Sequence, residues 1–133
     1  MNLETVFEFI KVSRGYDYPI TYKLVKGIPL SEDELTINGN LDLRLTDITT
    51  LPDNLKVGGS LELRYTKITT LPDNLHVGGY LDLENTKITS LPNNLKVGDD
   101  LYIRNTPLSE KYSEEEIRKI IEDKGGSVGD IYI

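Results

Sequence analysis

The chain reads as a repeat solenoid, mainly β with a C-terminal helix, and three observations predict it. LPDNLKVGGSLELRYTKITT at residues 51–70 is followed at once by LPDNLHVGGYLDLENTKITS at 71–90, a period of twenty with no insertion. Aliphatic residues fall in fixed columns over four units starting at 31, 51, 71 and 91. Within each unit, period-two alternation occurs in short bursts broken by Gly or Pro, the signature of short strands. A twenty-residue coil cannot hide its aliphatic side chains alone, but stacked coils share one continuous core.

Residues 1–30 form the expected N-terminal cap of a single 1–133 domain. LETVFEFIKV is compatible with a short amphipathic helix or a strand, and DYPITYKLVKG, with its β-branched and aromatic alternation, predicts a strand. Residues 31–110 carry the four repeats. Their inward columns are Leu35, Leu55, Leu75, Leu95; Ile37, Val57, Val77, Val97; Leu41, Leu61, Leu81, Leu101; Leu43, Leu63, Leu83, Ile103; and Ile48, Ile68, Ile88. Thr46, Thr66, Thr86 and Thr106 recur where the strand bends, with hydroxyls placed to bond backbone. Asn54, Asn74 and Asn94 are expected to satisfy turn backbone, and Gly58, Gly59, Gly78, Gly79 and Gly98 to supply positive φ at a corner. Residues 111–133 form a helix–strand cap. Ser113 and Glu116 make a capping box, EEEIRKIIEDK carries Ile117, Ile120 and Ile121 on one stripe, and Gly125 and Gly126 end the helix. SVGDIYI predicts a final strand that joins the solenoid or another subunit.

LELRYTKITTLP resembles the L-x-L-x-x-N-x-L-T-x-L-P core of leucine-rich repeats, and the twenty-residue unit with its LP is similar to the short bacterial type found in secreted effectors. The resemblance spans residues 31–110, with threonine where the family's ladder asparagine stands. It implies a leucine-rich-repeat-like stack of about four coils and a protein partner. The NLKVGG half departs from the family pattern and leaves a parallel β-helix as the alternative, with L-K-V and I-T-T as extra strand faces.

The net charge is −7, with no cysteine and one histidine. Residues 1–30 hold four basic and three acidic side chains, residues 31–110 seven and thirteen. That balance opposes direct nucleic-acid binding through phosphate neutralisation. The first thirty residues show neither a signal peptide nor a membrane span, and a cytoplasmic location is expected. Without cysteine or a second histidine, the usual zinc sets and thiol nucleophiles are missing, and no nucleophile elbow or phosphate loop is present. His76 stands in the outward column of Lys56 and Lys96. No cofactor and no enzymatic activity are expected.

Function is then expected on the outward strand positions. They form three columns: Asn40, Ser60, Tyr80, Asp100; Asp42, Glu62, Asp82, Tyr102; and Arg44, Arg64, Glu84, Arg104. Adjacent coils lie about 4.8 Å apart. Where the columns break their pattern, packing makes no demand, so the candidate protein-binding residues are Tyr80, Asp82, Glu84, Asp100, Tyr102 and Arg104, joined by Asp42, Glu62, Arg64 and Tyr65. The expected function is a non-catalytic protein-binding module. The near-identity of the units looks like recent duplication in a bacterial or phage protein, which suggests a factor that modulates a host protein. Two other readings remain open: an acidic nucleic-acid mimic that blocks a nucleic-acid-binding protein, and a structural homo-oligomer subunit; the chain is expected to be a monomer or a homodimer through the C-terminal strand.

Overall fold

The structure is a computed structural model that describes residues 19–133. The helix-or-strand segment LETVFEFIKV lies outside the described residues.

The first described element corrects the sequence expectation: ITYKLVK is a helix, α1 (Ile20–Lys26), rather than a strand. Pro19 opens it at the N-cap, and Gly27 closes it in the left-handed region at φ 72°. Those start and stop signals override the β-branched composition. Leu24 joins the solenoid core, and the buried Lys23 reaches Glu34 Oε2 at 2.7 Å.

A 3₁₀ turn at Asp33–Leu35 leads into the coils. Each coil contributes two short strands to two separate parallel sheets. The first sheet contains β1 (Thr36–Ile37), β3 (Lys56–Val57), β5 (His76–Val77) and β7 (Lys96–Val97). The second contains β2 (Leu41–Asp42), β4 (Leu61–Glu62), β6 (Leu81–Asp82), β8 (Leu101–Tyr102) and β9 (Ile131–Tyr132). Register follows the repeat without slippage: Leu41 faces Leu61, Leu61 faces Leu81, and Leu81 faces Leu101. The chain is thus a parallel-strand β-solenoid, mainly β, with twenty-residue coils and a C-terminal helix. The K-V sheet is the additional strand face that the β-helix alternative anticipated; the I-T-T stretches form no strand.

The core is the stack of inward columns. Leu43, Leu63, Leu83 and Ile103 are fully buried, as are Leu55, Leu75 and Leu95. Each such side chain contributes about 1.5–3 kcal/mol relative to exposure. The threonine column closes the bend as expected: Thr46, Thr66, Thr86 and Thr106 donate their hydroxyls to the carbonyls of Leu43, Leu63, Leu83 and Ile103 at 2.7, 2.8, 2.7 and 2.6 Å.

The glycines have a different role from the one expected. Positive φ belongs to Asn54, Asn74 and Asn94, and to the column Leu45, Tyr65, Asn85, Asn105, while the corner glycines are absent from that region. Gly78 is required because a Cβ there would overlap the Gly58 carbonyl oxygen of the preceding coil. Close coil-to-coil approach therefore selects glycine, and asparagine takes the left-handed corner.

After β8 the chain leaves the twenty-residue period. Thr106 caps α2 (Pro107–Lys111), with Pro107 at the first helical position. Ser113 and Glu116 form the capping box of α3 (Glu114–Asp123), which buries Ile117 and Ile121. Ser127 bridges to Lys96, and β9 pairs in parallel with β8, thirty residues on from Leu101. Arg118 of α3 donates to the carbonyls of Val128 and Gly129 at 3.3 and 2.7 Å. The terminal segment SVGDIYI thus joins the solenoid of its own chain.

Candidate functional site

The exposed side of the second sheet gathers the three outward columns, and each column does something different.

The first column is largely spent on holding coils together. Asn40 Oδ1 accepts the Ser60 N–H at 2.8 Å, Ser60 Oγ accepts the Tyr80 N–H at 3.1 Å, and Asp100 Oδ1 accepts the Asp130 N–H at 3.1 Å. Tyr80 breaks this series and turns its hydroxyl to Glu62 Oε1 instead.

The second and third columns form a charge lattice across the first three coils. Arg44 holds Asp42 through both oxygens, at 2.9 and 2.8 Å, and its Nε lies 3.1 Å from Glu62 Oε2 in the next coil. Arg64 repeats the inter-coil step, with Nε 3.1 Å from Asp82 Oδ2. Glu84 donates its N–H to Asp82 Oδ1 at 3.0 Å, and Arg104 Nε stands 3.8 Å from Glu84. The Arg44 hydrogen bonds hold the Asp42 carboxyl below its ordinary pKa, and Asp42 in turn pushes Arg44 up. Glu62, by accepting the Tyr80 hydroxyl, raises the Tyr80 phenol.

Asp82 departs from the sequence expectation of an outward contact residue: it is buried. Set in register between Glu62 and Tyr102 and covered by Arg64, it loses water, and burial raises its pKa against the pull of the Glu84 N–H and Arg64. Asp82 supports the face from beneath.

Beyond the third coil the lattice gives way to aromatics. Tyr102 follows Asp82 in register, and Tyr132 follows Tyr102. Tyr80 meets Tyr102 edge-on at 5.8 Å, Tyr102 stacks on Tyr132 at 4.9 Å with 10° between planes, and the Arg104 guanidinium lies 5.9 Å from the Tyr132 ring centre. Where Arg44 and Arg64 each meet a carboxylate in the next coil, Arg104 meets a ring. Asp100, burial and Asp130 together raise the Tyr132 phenol.

Tyr132 belongs to the site and was missing from the sequence-derived set. Its signal was present: DLYI at 100–103 recurs as DIYI at 130–133, at an interval of thirty instead of twenty. The structure brings Tyr80, Tyr102, Arg104 and Tyr132 together, with Asp100 at their margin. Tyr65 lies apart, beside Leu45, Arg44 and Arg64 at the other end of the face.

His76, expected to point outward, is half-buried between Lys56 and Lys96, and its Nε2 has no hydrogen-bond partner. Burial, followed by the two lysines, lowers its pKa. Among the described residues no group of three His, Asp or Glu side chains is placed to hold a metal, and no helix is long and apolar enough to cross a membrane.

The fold and face define the class, a parallel β-solenoid with a mixed charged and aromatic sheet surface. No protein-family model, curated protein or solved structure matches the chain.

Proposed function

We propose that the chain is a non-catalytic protein-binding module that docks a protein partner on its second sheet, with the Tyr80–Tyr102–Tyr132 cluster and Arg104 as the anchor. The observation that carries this reading is the change of chemistry along one column: carboxylates through three coils, then two stacked tyrosines with an arginine beside them. Tyrosine supplies large contact area at small entropic cost, and tyrosine and arginine are enriched among the residues that carry most of an interface's binding energy. The resemblance to short bacterial leucine-rich repeats supports the same class of partner, and the near-identity of the units supports a bacterial or phage factor that modulates a host protein.

The ion pairs weaken the rival reading of an acidic nucleic-acid mimic. Asp42, Glu62 and Asp82 are each matched by an arginine at 2.8–3.1 Å, so the column does not present a row of bare charges. For a homodimer through the C-terminal strand, β9 pairs with β8 along one edge and, among the described residues, ends the second sheet with its other edge unpaired.

The test is capture from native lysate with the whole chain as bait, beside Tyr102→Ala with Tyr132→Ala. A partner retained by the parent and lost by the double variant is expected, with retention that falls only modestly as salt is raised. Equal capture by both baits sinks the aromatic anchor; steep loss in salt favours the mimic.

A further inference from the structure

The left-handed column at the bend of the second sheet contains Leu45, Tyr65, Asn85 and Asn105, at φ 62°, 58°, 58° and 56°. Asparagine suits this conformation because its short polar side chain tolerates it, whereas a bulky side chain is strained there. The later coils show what the position favours: Asn105 donates its amide to Asn85 at 2.9 Å. Asn54, Asn74 and Asn94, at the other left-handed corner, continue such a ladder through three coils at 3.0 Å per step. In the first two coils the same position holds the bulky side chains of Leu45 and Tyr65, which have no amide to form such a ladder. Both are exposed, Leu45 by 78% and Tyr65 by 58%. A single exposed apolar side chain is ordinary. Two in adjacent coils, each in the left-handed conformation that asparagine occupies in the later coils, are not ordinary, and strain of this kind collects at functional positions.

Between them lies an open hollow of about 420 Å³, lined by Asp42, Arg44, Leu45, Arg64 and Tyr65. Its charges are unequal in commitment. Asp42 is held at both oxygens by Arg44, which also faces Glu62. Arg64 makes one ion pair, its buried Nε 3.1 Å from Asp82 Oδ2 without hydrogen-bond alignment, and no other hydrogen bond or ion pair among the described residues. A guanidinium carries five N–H donors in a planar fork that fits a carboxylate.

We infer that Leu45, Tyr65 and Arg64 form a second docking point, which takes a protein segment carrying an aliphatic or aromatic side chain next to an aspartate or glutamate. The apolar group sits between Leu45 and Tyr65, and the carboxylate lies on the Arg64 fork. This inference rests on the protein-binding reading above and adds the chemistry of the partner.

The experiment pans a phage-displayed library of random peptides over the whole chain, with Leu45→Asn/Tyr65→Asn as the counter-target. Thermal unfolding of both proteins is recorded in parallel. The double variant completes the asparagine ladder, so its midpoint should rise by about 2–8 °C. Enriched peptides should pair an acidic residue with an apolar one, fail to bind the double variant, and bind Arg64→Gln about tenfold or more weakly. They should still bind Tyr102→Ala/Tyr132→Ala, which separates this site from the aromatic anchor. A lower midpoint would make Leu45 and Tyr65 packing residues and overturn the inference. So would enrichment of basic or uncharged peptides, equal binding to the counter-target, or no enrichment at all. Sedimentation showing a parent dimer that the double variant loses would make the occupant a second copy, and also overturns it. None of these outcomes touches capture through Tyr102 and Tyr132.

Discussion

Asp42 and Asp82 stand in one column of one sheet, two coils apart, and the solenoid shifts their ionisation in opposite directions. Asp42 keeps half of its side chain in water and is gripped by the full fork of Arg44; Asp82 keeps 9% and has only the Nε side of Arg64. Identical residues at equivalent positions thus face different chemistry, because their neighbours failed to copy. Tyr80 takes the place of Ser60 and occupies Glu62, and Glu84 takes the place of Arg64, so the third coil has no arginine of its own to serve Asp82. Repetition sets where side chains stand; the exceptions to it set what they do.

The comparison can be broken most severely from beneath. Leu83→Ala removes a fully buried side chain under the third coil and should cost about 2–5 kcal/mol in urea unfolding followed by circular dichroism. If coils form one cooperative unit, hydrogen exchange should speed up around Asp42 as much as around Asp82; protection retained only in the first coil would show that the coils unfold separately. A smaller effect is expected from Tyr80→Phe, which frees Glu62 from the phenol and should cost about 0.5–1.5 kcal/mol, readable as a shift in the urea midpoint with unchanged slope.

The subtlest test is one of sign. The folded pKa of Asp82 is raised, so its contribution is fully present below the unfolded value of about 3.8 and is lost as pH rises through the folded pKa. That of Asp42 is lowered, so its stabilisation is present above about 3.8 and is lost as pH falls through the folded value. At neutral pH, Asp82→Asn should therefore leave stability unchanged or raise it, and Asp42→Asn should lower it slightly, since that pair is well exposed to solvent. Unfolding midpoints measured between pH 3 and 7, about the range in which carboxylates titrate, check both. Equal responses of the two variants would mean that burial does not distinguish the sites.

Much of the fold could be read from the letters. The columns Leu41–Leu101 and Leu43–Ile103, the threonine bends and the Ser113–Glu116 box follow from local pattern, since each rests on spacing along the chain; the last strand was legible as a strand, but its docking on β8 was not. The helix Ile20–Lys26 did not, because Pro19 and Gly27 outweighed a strand-like composition over only seven residues. The glycine role was misread for a related reason: a φ preference is local, whereas the overlap of a Gly78 side chain with the Gly58 carbonyl exists only once coils stack. On the face, Tyr80, Tyr102 and Arg104 were found as breaks in their columns. Asp82 was misplaced to the surface, and Tyr132 was overlooked because α2 and α3 stretch its interval to thirty residues.

By itself the sequence determined the twenty-residue period, the inward columns and the list of outward positions, because hydrophobic alternation records which side of a coil meets its neighbours. Only the tertiary structure decided which outward residues share an environment. Stacking brought Tyr132 onto Tyr102, sank one aspartate of a column while leaving another in water, and set Leu45 and Tyr65 in a conformation that asparagine suits. Those are distances across coils, fixed by packing between residues twenty and thirty positions apart.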